Sequence, residues 1–202
     1  MGALKAIRLT LWALVGVLII GVTAAALGLL PGSQNTGTET AKIGGPFELT
    51  AMNGTRMSTA DFGDKGRVIF FGFTYCPDVC PTTMFEVSNW LETLGPDAAK
   101  LQPIFISVDP ERDTPEVLSD YLSAFDGEIL GMTGTPEEIA AVAKDYRIYY
   151  QRVALDEGDY TMDHTASILL FRNDGSFMGT IAYGEDAETA VEKLRRLAKA
   201  SS

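Results

Sequence analysis

Apolar positions form one long uninterrupted run near the start of the chain and short interrupted runs afterwards. The long run, LWALVGVLIIGVTAAALGLL at residues 11–30, contains no charged residue. At about 1.5 Å per residue, a helix of this length spans roughly 30 Å, which is the thickness of a bilayer's hydrocarbon core. The pattern predicts a membrane-spanning helix over residues 11–30.

The later runs predict strands and helices in alternation. Apolar stretches of strand length are expected to form a sheet buried on both faces, at residues 67–73, 102–108 and 166–171. Amphipathic segments opened by proline predict helices from Pro81, Thr114 and Thr135, and a last helix carries Val191, Leu194 and Leu197. Residues 147–153 and 159–162 flank an Asp-Glu-Gly turn and predict a protruding hairpin. The expected fold class is α/β, a central mixed sheet flanked by helices.

The flanks of the apolar run indicate how the chain is organised. Lys5 and Arg8 precede it with no acidic residue, which predicts a cytoplasmic N-terminus over residues 1–10 and an exported remainder. A cleaved signal peptide is the alternative, since Thr23 and the alanines after it are small, but the run exceeds the usual signal-peptide core. We interpret residues 11–30 as an uncleaved anchor in a bacterial inner membrane.

After the anchor, residues 31–40 are rich in Gly, Ser, Thr and Asn, and predict a flexible linker. Residues 41–202 suit one globular domain. All 27 acidic residues follow Leu30, together with only 14 of the 16 basic ones, so the exported part is strongly acidic. This charge argues against nucleic-acid binding, which requires a basic surface.

The two cysteines of the chain lie together in FGFTYCPDVCPTT, as Cys76 and Cys80. A disulfide between them would close a very short loop and remove little entropy from the unfolded chain, so a purely structural role is disfavoured. A redox-active dithiol and a pair of metal ligands remain, and the spacing alone leaves both open. Because the pair lies between a strand and a helix N-terminus, we expect a lowered thiol pKa, with Cys76 the more accessible sulfur.

His164 is the only histidine and a candidate third ligand. It lies just before the run 166–171, and loops at the same end of a sheet converge on one crevice. Two thiolates and one imidazole form a soft set that suits Cu(I) and tolerates Cu(II), whereas a structural zinc site needs a fourth ligand. None of Glu157, Asp159 and Asp163 is an obvious fourth ligand. Metal binding requires reduced thiols, so in an oxidising compartment the protein would need a reductant.

Three segments resemble the Sco/SenC family: GFTYCPDVCP at 72–81, SVDPERDTP at 107–115 and DHT at 163–165. The resemblance implies a thioredoxin-like fold with an inserted hairpin before a His-bearing loop. It also implies copper ligation by Cys76, Cys80 and His164, and a role in building the copper A centre of cytochrome c oxidase subunit II. That role is either copper delivery or, as a thiol–disulfide oxidoreductase using Cys76 and Cys80, reduction of the acceptor's thiols. Other periplasmic copper chaperones and a thioredoxin-like reductant are further expected partners.

Two positions depart from related patterns. Ala166 stands approximately where thioredoxins have a cis-proline that docks substrate chains, which shifts the expectation from disulfide exchange towards metal binding. Tyr75 stands where some Sco proteins carry a histidine, leaving His164 as the only imidazole. Residues 109–115 either line the site or form a turn with a helix cap from Asp113 or Thr114.

Overall fold

The computed structural model describes residues 2–26, 42–126 and 128–201, in two separate units, Met1–Ala41 and Lys42–Ser202. In the first unit, helix α1 (Gly2–Ala26) includes a segment, Ile7–Ala24, with a mean hydropathy of 2.1 and no fully buried residue. Its length and composition would let it cross a membrane, and a signal sequence has the same properties. The helix begins at Gly2, so it includes part of the predicted cytoplasmic segment. The last residues of the predicted span, 27–30, and the predicted linker, 31–40, lie outside the described residues.

The second unit contains nine strands and four α-helices among its described residues. The strands are β1 (Glu48–Ala51), β2 (Arg56–Ser58), β3 (Gly66–Gly72), β4 (Leu101–Ser107), β5 (Leu130–Thr133), β6 (Tyr150–Ala154), β7 (Tyr160–His164), β8 (Ile168–Phe171) and β9 (Phe177–Ile181). The helices are α2 (Val79–Leu94), α3 (Pro115–Leu122), α4 (Pro136–Asp145) and α5 (Ala187–Ala200). Short 3₁₀ segments occur at Thr59–Phe62, Gly95–Lys100 and Asp156–Gly158.

Seven strands form one mixed sheet in the order β2-β1-β5-β4-β3-β8-β9. Strand β4 pairs in parallel with β3 and β5, while β8 pairs antiparallel with β3 and β9. Every residue of the central strand β3 is buried, as expected for a strand covered on both faces. The predicted mixed α/β sheet is therefore confirmed, and its β3-α2-β4 and β8-β9-α5 halves give the thioredoxin-like arrangement. Strand β5 was not predicted, because its sequence LGMT is too short to form a recognisable apolar run.

The start of α2 differs from the prediction. The helix begins at Val79 rather than at Pro81, so Cys80 lies within its first turn. Proline is tolerated there because the first N–H groups of a helix have no partner inside the helix. Gly72 at the end of β3 allows the close approach of this turn, since a Cβ at Gly72 would lie 2.9 Å from the sulfur of Cys80.

The predicted hairpin is confirmed, but its second strand extends further than expected. Strands β6 and β7 form a separate two-stranded sheet, in which Tyr150 pairs with His164. His164 is therefore the last residue of β7, and the expectation of a His-bearing loop was wrong. The amide of Thr165 donates to the carbonyl of Tyr149 at 3.0 Å and continues the pairing beyond His164.

Candidate metal centre

The structure brings Cys76, Cys80 and His164 together. Their candidate ligand atoms all lie within 4.8 Å of one another, and the Cys80 sulfur is 3.6 Å from Nε2 of His164. Among the described residues, no other group of three His, Cys, Asp or Glu side chains meets this criterion. The cysteines follow β3 and His164 ends β7, so two distant parts of the chain form the cluster.

Backbone hydrogen bonds shape the cysteine loop. The amide of Cys76 donates to the carbonyl of Phe73 at 3.3 Å, which closes a turn directly after β3. The amide of Cys80 donates to the sulfur of Cys76 at 3.4 Å, in the first turn of α2. Cys80 is fully buried, whereas Cys76 is partly exposed. The prediction that Cys76 is the more accessible sulfur is therefore confirmed.

The buried carboxylate of Asp113 links this loop to the end of β4. It accepts hydrogen bonds from the backbone N–H of Thr74 at 3.0 Å and from the Thr74 hydroxyl at 2.6 Å. It also accepts one from the hydroxyl of Ser107 at 2.6 Å. The helix cap is Thr114, whose side chain accepts from the amide of Val117. Residues 109–115 thus supply both a cap and a support for the cysteine loop.

The imidazole of His164 is oriented by a carbonyl and two aromatic rings. Its Nδ1 lies 3.0 Å from the carbonyl oxygen of Thr165, and a proton on Nδ1 leaves the Nε2 lone pair directed towards the sulfurs. The rings of Phe70 and Phe73 pack edge-on against it, with centroids 5.9 and 5.7 Å away. This orientation leaves Nε2 available as a ligand.

The pKa values of the two thiols are shifted in opposite directions, which we call the shared-proton arrangement. A hydrogen bond from the Cys80 thiol is the main cause that lowers the pKa of Cys76 to about 3, with further contributions from His164 and from the amides of Cys80 and Asp78. The same hydrogen bond, together with burial, raises the pKa of Cys80. The expected lowering of a thiol pKa therefore holds for Cys76, while Cys80 retains its proton.

This pairing predicts how the reduced protein reacts with alkylating agents. The rate of Cys76 modification by iodoacetamide is expected to be nearly constant from about pH 5 to pH 8, because Cys76 is already a thiolate there. An ordinary thiol would react about tenfold faster with each pH unit over this range. Cys80→Ala removes the hydrogen-bond donor, so it should raise the pKa of Cys76 and restore a pH dependence. Such a dependence in the parent protein would contradict the shared-proton arrangement.

The three side chains fit a metal ion of low coordination number. Two sulfurs and one imidazole nitrogen form a soft donor set. Of the carboxylates near His164 in the sequence, Asp159 lies 3.5 Å from Nη1 of Arg112, and Asp163 is exposed on β7. Neither joins the cluster. The arrangement is that of an open three-ligand site rather than a closed structural zinc site.

Comparison with known proteins agrees with the fold and with copper as the metal. The SCO1/SenC family model matches residues 35–199. The chain belongs to the SCO1/SenC family. Copper-bound ScoI from Bradyrhizobium japonicum is 49% identical, covering 77% of this chain and 99% of that one, with a TM-score of 0.72. Copper-bound yeast Sco1 is 37% identical, covering 78% and 89% of the two chains, with a TM-score of 0.70.

Among curated SCO1/SenC relatives, the human mitochondrial SCO1 homolog is 40% identical over 169 residues, which are 79% of this chain and 55% of the relative. The chain spans about half the length of the first curated relatives it matches. The family resemblance carried by residues 72–81, 107–115 and 163–165 is therefore confirmed. Sequence reasoning named the three candidate donors but gave Asp113 only a possible cap role, because its hydrogen bonds to Thr74 join segments distant in the sequence.

Proposed function

We propose that this SCO1/SenC protein is a membrane-anchored copper metallochaperone. Cys76, Cys80 and His164 hold one copper ion as cargo and pass it towards the copper A centre of cytochrome c oxidase subunit II. The observation that carries the proposal is the convergence of two sulfurs and one imidazole within 4.8 Å. The copper-bound relatives from Bradyrhizobium japonicum and yeast support copper as the metal.

The site chemistry favours copper hand-over by ligand exchange. A soft set of three donors suits Cu(I) and tolerates Cu(II). The partly exposed Cys76 gives an acceptor thiol access to the ion, while the buried Cys80 retains it until the acceptor is engaged. Exchange of sulfur ligands one at a time avoids releasing free copper.

The rest of the chain is proposed to keep this site at a membrane surface. Residues 11–30 would anchor it in the bacterial inner membrane, with residues 1–10 cytoplasmic and residues 31–40 as a linker. Residues 41–202 would then lie in the periplasm. Because that compartment is oxidising, a thioredoxin-like reductant would have to keep the dithiol open for copper, and another periplasmic copper chaperone could supply the ion.

A second candidate function is thiol–disulfide exchange with a copper-site acceptor. The partly exposed Cys76 thiolate beside the Cys80 thiol favours it. The thiolate would attack an acceptor disulfide, forming a mixed disulfide and releasing one acceptor thiolate. Cys80, on losing its proton, would then attack Cys76, releasing the second acceptor thiolate and leaving a Cys76–Cys80 disulfide. This chemistry does not need His164, which distinguishes the two functions.

Anaerobic Cu(I) titration of the reduced full chain in detergent tests the proposal. We expect one copper per chain, and His164→Ala should weaken binding by about tenfold or more, because it removes one of three ligands. Asp163→Ala is the matched control, since its side chain is exposed beside His164 on β7. Unchanged affinity in His164→Ala would remove His164 from the ligand set. Absence of tight copper binding in the parent would reject the metallochaperone and favour thiol exchange.

A further inference from the structure

The hairpin that carries His164 lies outside the main sheet. Strands β6 and β7 pair with each other, whereas the other seven strands form a separate sheet. A two-stranded hairpin is at most marginally stable by itself in water. The position of His164 relative to the cysteines therefore depends on side-chain contacts between the hairpin and the rest of the domain.

Three side chains form one such contact, which we call the arginine latch: Asp109, Arg112 and Tyr160. Nε of Arg112 donates to the Asp109 carboxylate, and Nη1 of Arg112 donates to the carbonyl oxygen of Tyr160 at 3.0 Å. The Tyr160 hydroxyl donates to the other Asp109 oxygen at 2.9 Å. These bonds join the turn after β4 to the first residue of β7. Asp109 and Arg112 are both largely buried, where charge-assisted hydrogen bonds are strong.

The guanidinium group of Arg112 also contacts the cysteine loop. It lies over the ring of Tyr160 at 3.7 Å and over the ring of Tyr75 at 4.6 Å. Tyr75 directly precedes Cys76, so one side chain contacts both segments that supply ligands. Arg152 lies over the Tyr160 ring at 3.5 Å and pairs with Glu111 at 3.1 Å, adding a more exposed layer to the same contact.

The latch and His164 lie on the same face of β7. Successive strand residues point to opposite faces, so Tyr160, Met162 and His164 share one face over about 13 Å. All three are partly buried, and Met162 packs against the core. Tyr160 thus holds one end of the face whose other end carries the imidazole.

We propose that Arg112, with Asp109 and Tyr160, positions the His164 imidazole for metal binding. The inference rests on the proposed function, because it takes copper as the metal. Met162 and the β6–β7 pairing still hold the hairpin when the latch is broken, but the hairpin then samples positions in which Nε2 is too far from the sulfurs. The apparent metal affinity is then scaled by the fraction of time that the hairpin spends in the position that permits binding.

A double-mutant cycle tests whether Arg112 acts through His164. Cu(I) affinity of the reduced full chain in detergent is measured anaerobically against a chromophoric Cu(I) chelator. Arg112→Gln should weaken binding about tenfold or more, the usual effect of removing a group that orients a ligand. In a chain that also carries His164→Ala, it should change the affinity by less than about twofold, because the group it orients is gone. Arg56→Gln is the matched control, since Arg56 joins β2 to α4 through Glu138 away from the site.

Equal weakening with and without His164 would overturn the proposal, since it would mean that Arg112 acts through its charge or through general stability. Undiminished affinity in Arg112→Gln would overturn it as well. If Arg112→Gln does not fold because Asp109 is left buried and unpaired, Tyr160→Ala replaces it. That variant leaves the Asp109–Arg112 pair in place. It should also weaken copper binding about tenfold or more when His164 is present, and by less than about twofold in the His164→Ala chain.

A metal-free measurement separates this proposal from the proposed function. Amide hydrogen exchange of the reduced, copper-free chain should become faster in β6 and β7 on Arg112→Gln, with β3 and β4 unchanged, and Arg56→Gln should have no such effect. This result would support the latch even if the parent chain bound no copper and the metallochaperone proposal failed. Unchanged exchange in the hairpin would overturn the latch whatever the copper result.

Discussion

Cys80→Ser is expected to weaken Cu(I) binding by at least about 100-fold, a larger effect than that of His164→Ala or Arg112→Gln. Serine replaces a soft sulfur with a hard hydroxyl oxygen, which is a poor ligand for Cu(I). The remaining donors are Cys76 and His164, and two donors hold the ion less tightly than three. The measurement is the same anaerobic competition with a Cu(I) chelator.

The position of Cys80 makes the substitution informative. The side chain is fully buried in the first turn of α2, where a hydroxyl is close in size to a thiol. A serine hydroxyl can still donate to the Cys76 sulfur, so the loop is expected to keep its shape. Urea unfolding followed by tryptophan fluorescence should accordingly differ little between the two proteins. A large loss of stability would mean that the copper result reports unfolding rather than a lost ligand.

Met84→Leu is the control for Cys80→Ser. Met84 lies one turn further along α2 and is also buried, and leucine conserves its volume while removing its sulfur. Copper affinity should be unchanged, because Met84 is not one of the three proposed ligands. Weakened binding in Met84→Leu would show that the ligand set is larger than the three residues. Unchanged binding in Cys80→Ser would exclude Cys80 from it.

Asp113→Ala is expected to have the largest effect on stability, about 3 kcal/mol or more of the free energy of unfolding. The carboxylate is 0% exposed and accepts three hydrogen bonds, two from Thr74 and one from Ser107. Alanine leaves the buried Ser107 hydroxyl and the partly buried donors of Thr74 without this acceptor, and leaves a cavity beside them. Urea unfolding of the reduced full chain in detergent measures the loss.

Asp113→Asn provides the matched comparison, since it keeps the size of the side chain and one acceptor oxygen. Its loss of stability should be smaller than that of Asp113→Ala. Asp120→Ala removes an exposed carboxylate from α3 and should change stability by less than about 0.5 kcal/mol. Equal stability of Asp113→Ala and the parent would contradict the view that this carboxylate holds the cysteine loop.

The same carboxylate should make stability depend on pH in a defined direction. Burial is the main cause that raises the pKa of Asp113, and the hydrogen bonds from Ser107 and Thr74 oppose it. The native state then keeps this proton to higher pH than the unfolded chain does. The stability contributed by protonation is full below the ordinary Asp range and is lost as the pH rises through the raised pKa. Asp113→Asn should remove this part of the pH dependence, and an unchanged pH profile would argue against the raised pKa.

Local sequence patterns predicted most of the central strands and helices, because apolar runs and helix caps depend on residues that are close together in the sequence. Apolar runs indicated β3, β4 and β8 to within about two residues, the accuracy expected at element ends. Thr114 and Thr135 each precede a proline and cap α3 and α4 as expected. Strand β5 was missed because its four residues form a strand through pairing with β1 and β4, which no local pattern records.

The sequence by itself determined the family and named the candidate donors of the site. Cys76 and Cys80 are four residues apart between a strand and a helix, so their proximity is a local consequence of the chain. The three family motifs and the single histidine then named His164 as the remaining donor. The tertiary structure determined the geometry of the site and the contacts that support it, because these depend on residues that are distant in the sequence. It set the 3.6 Å approach of His164 to Cys80 across 84 residues, and the burial and hydrogen bonding that lower the pKa of Cys76 and raise that of Cys80. It also joined Asp113 to Thr74 and Arg112 to Tyr160, because burial and hydrogen bonding between distant segments exist only once the chain is folded.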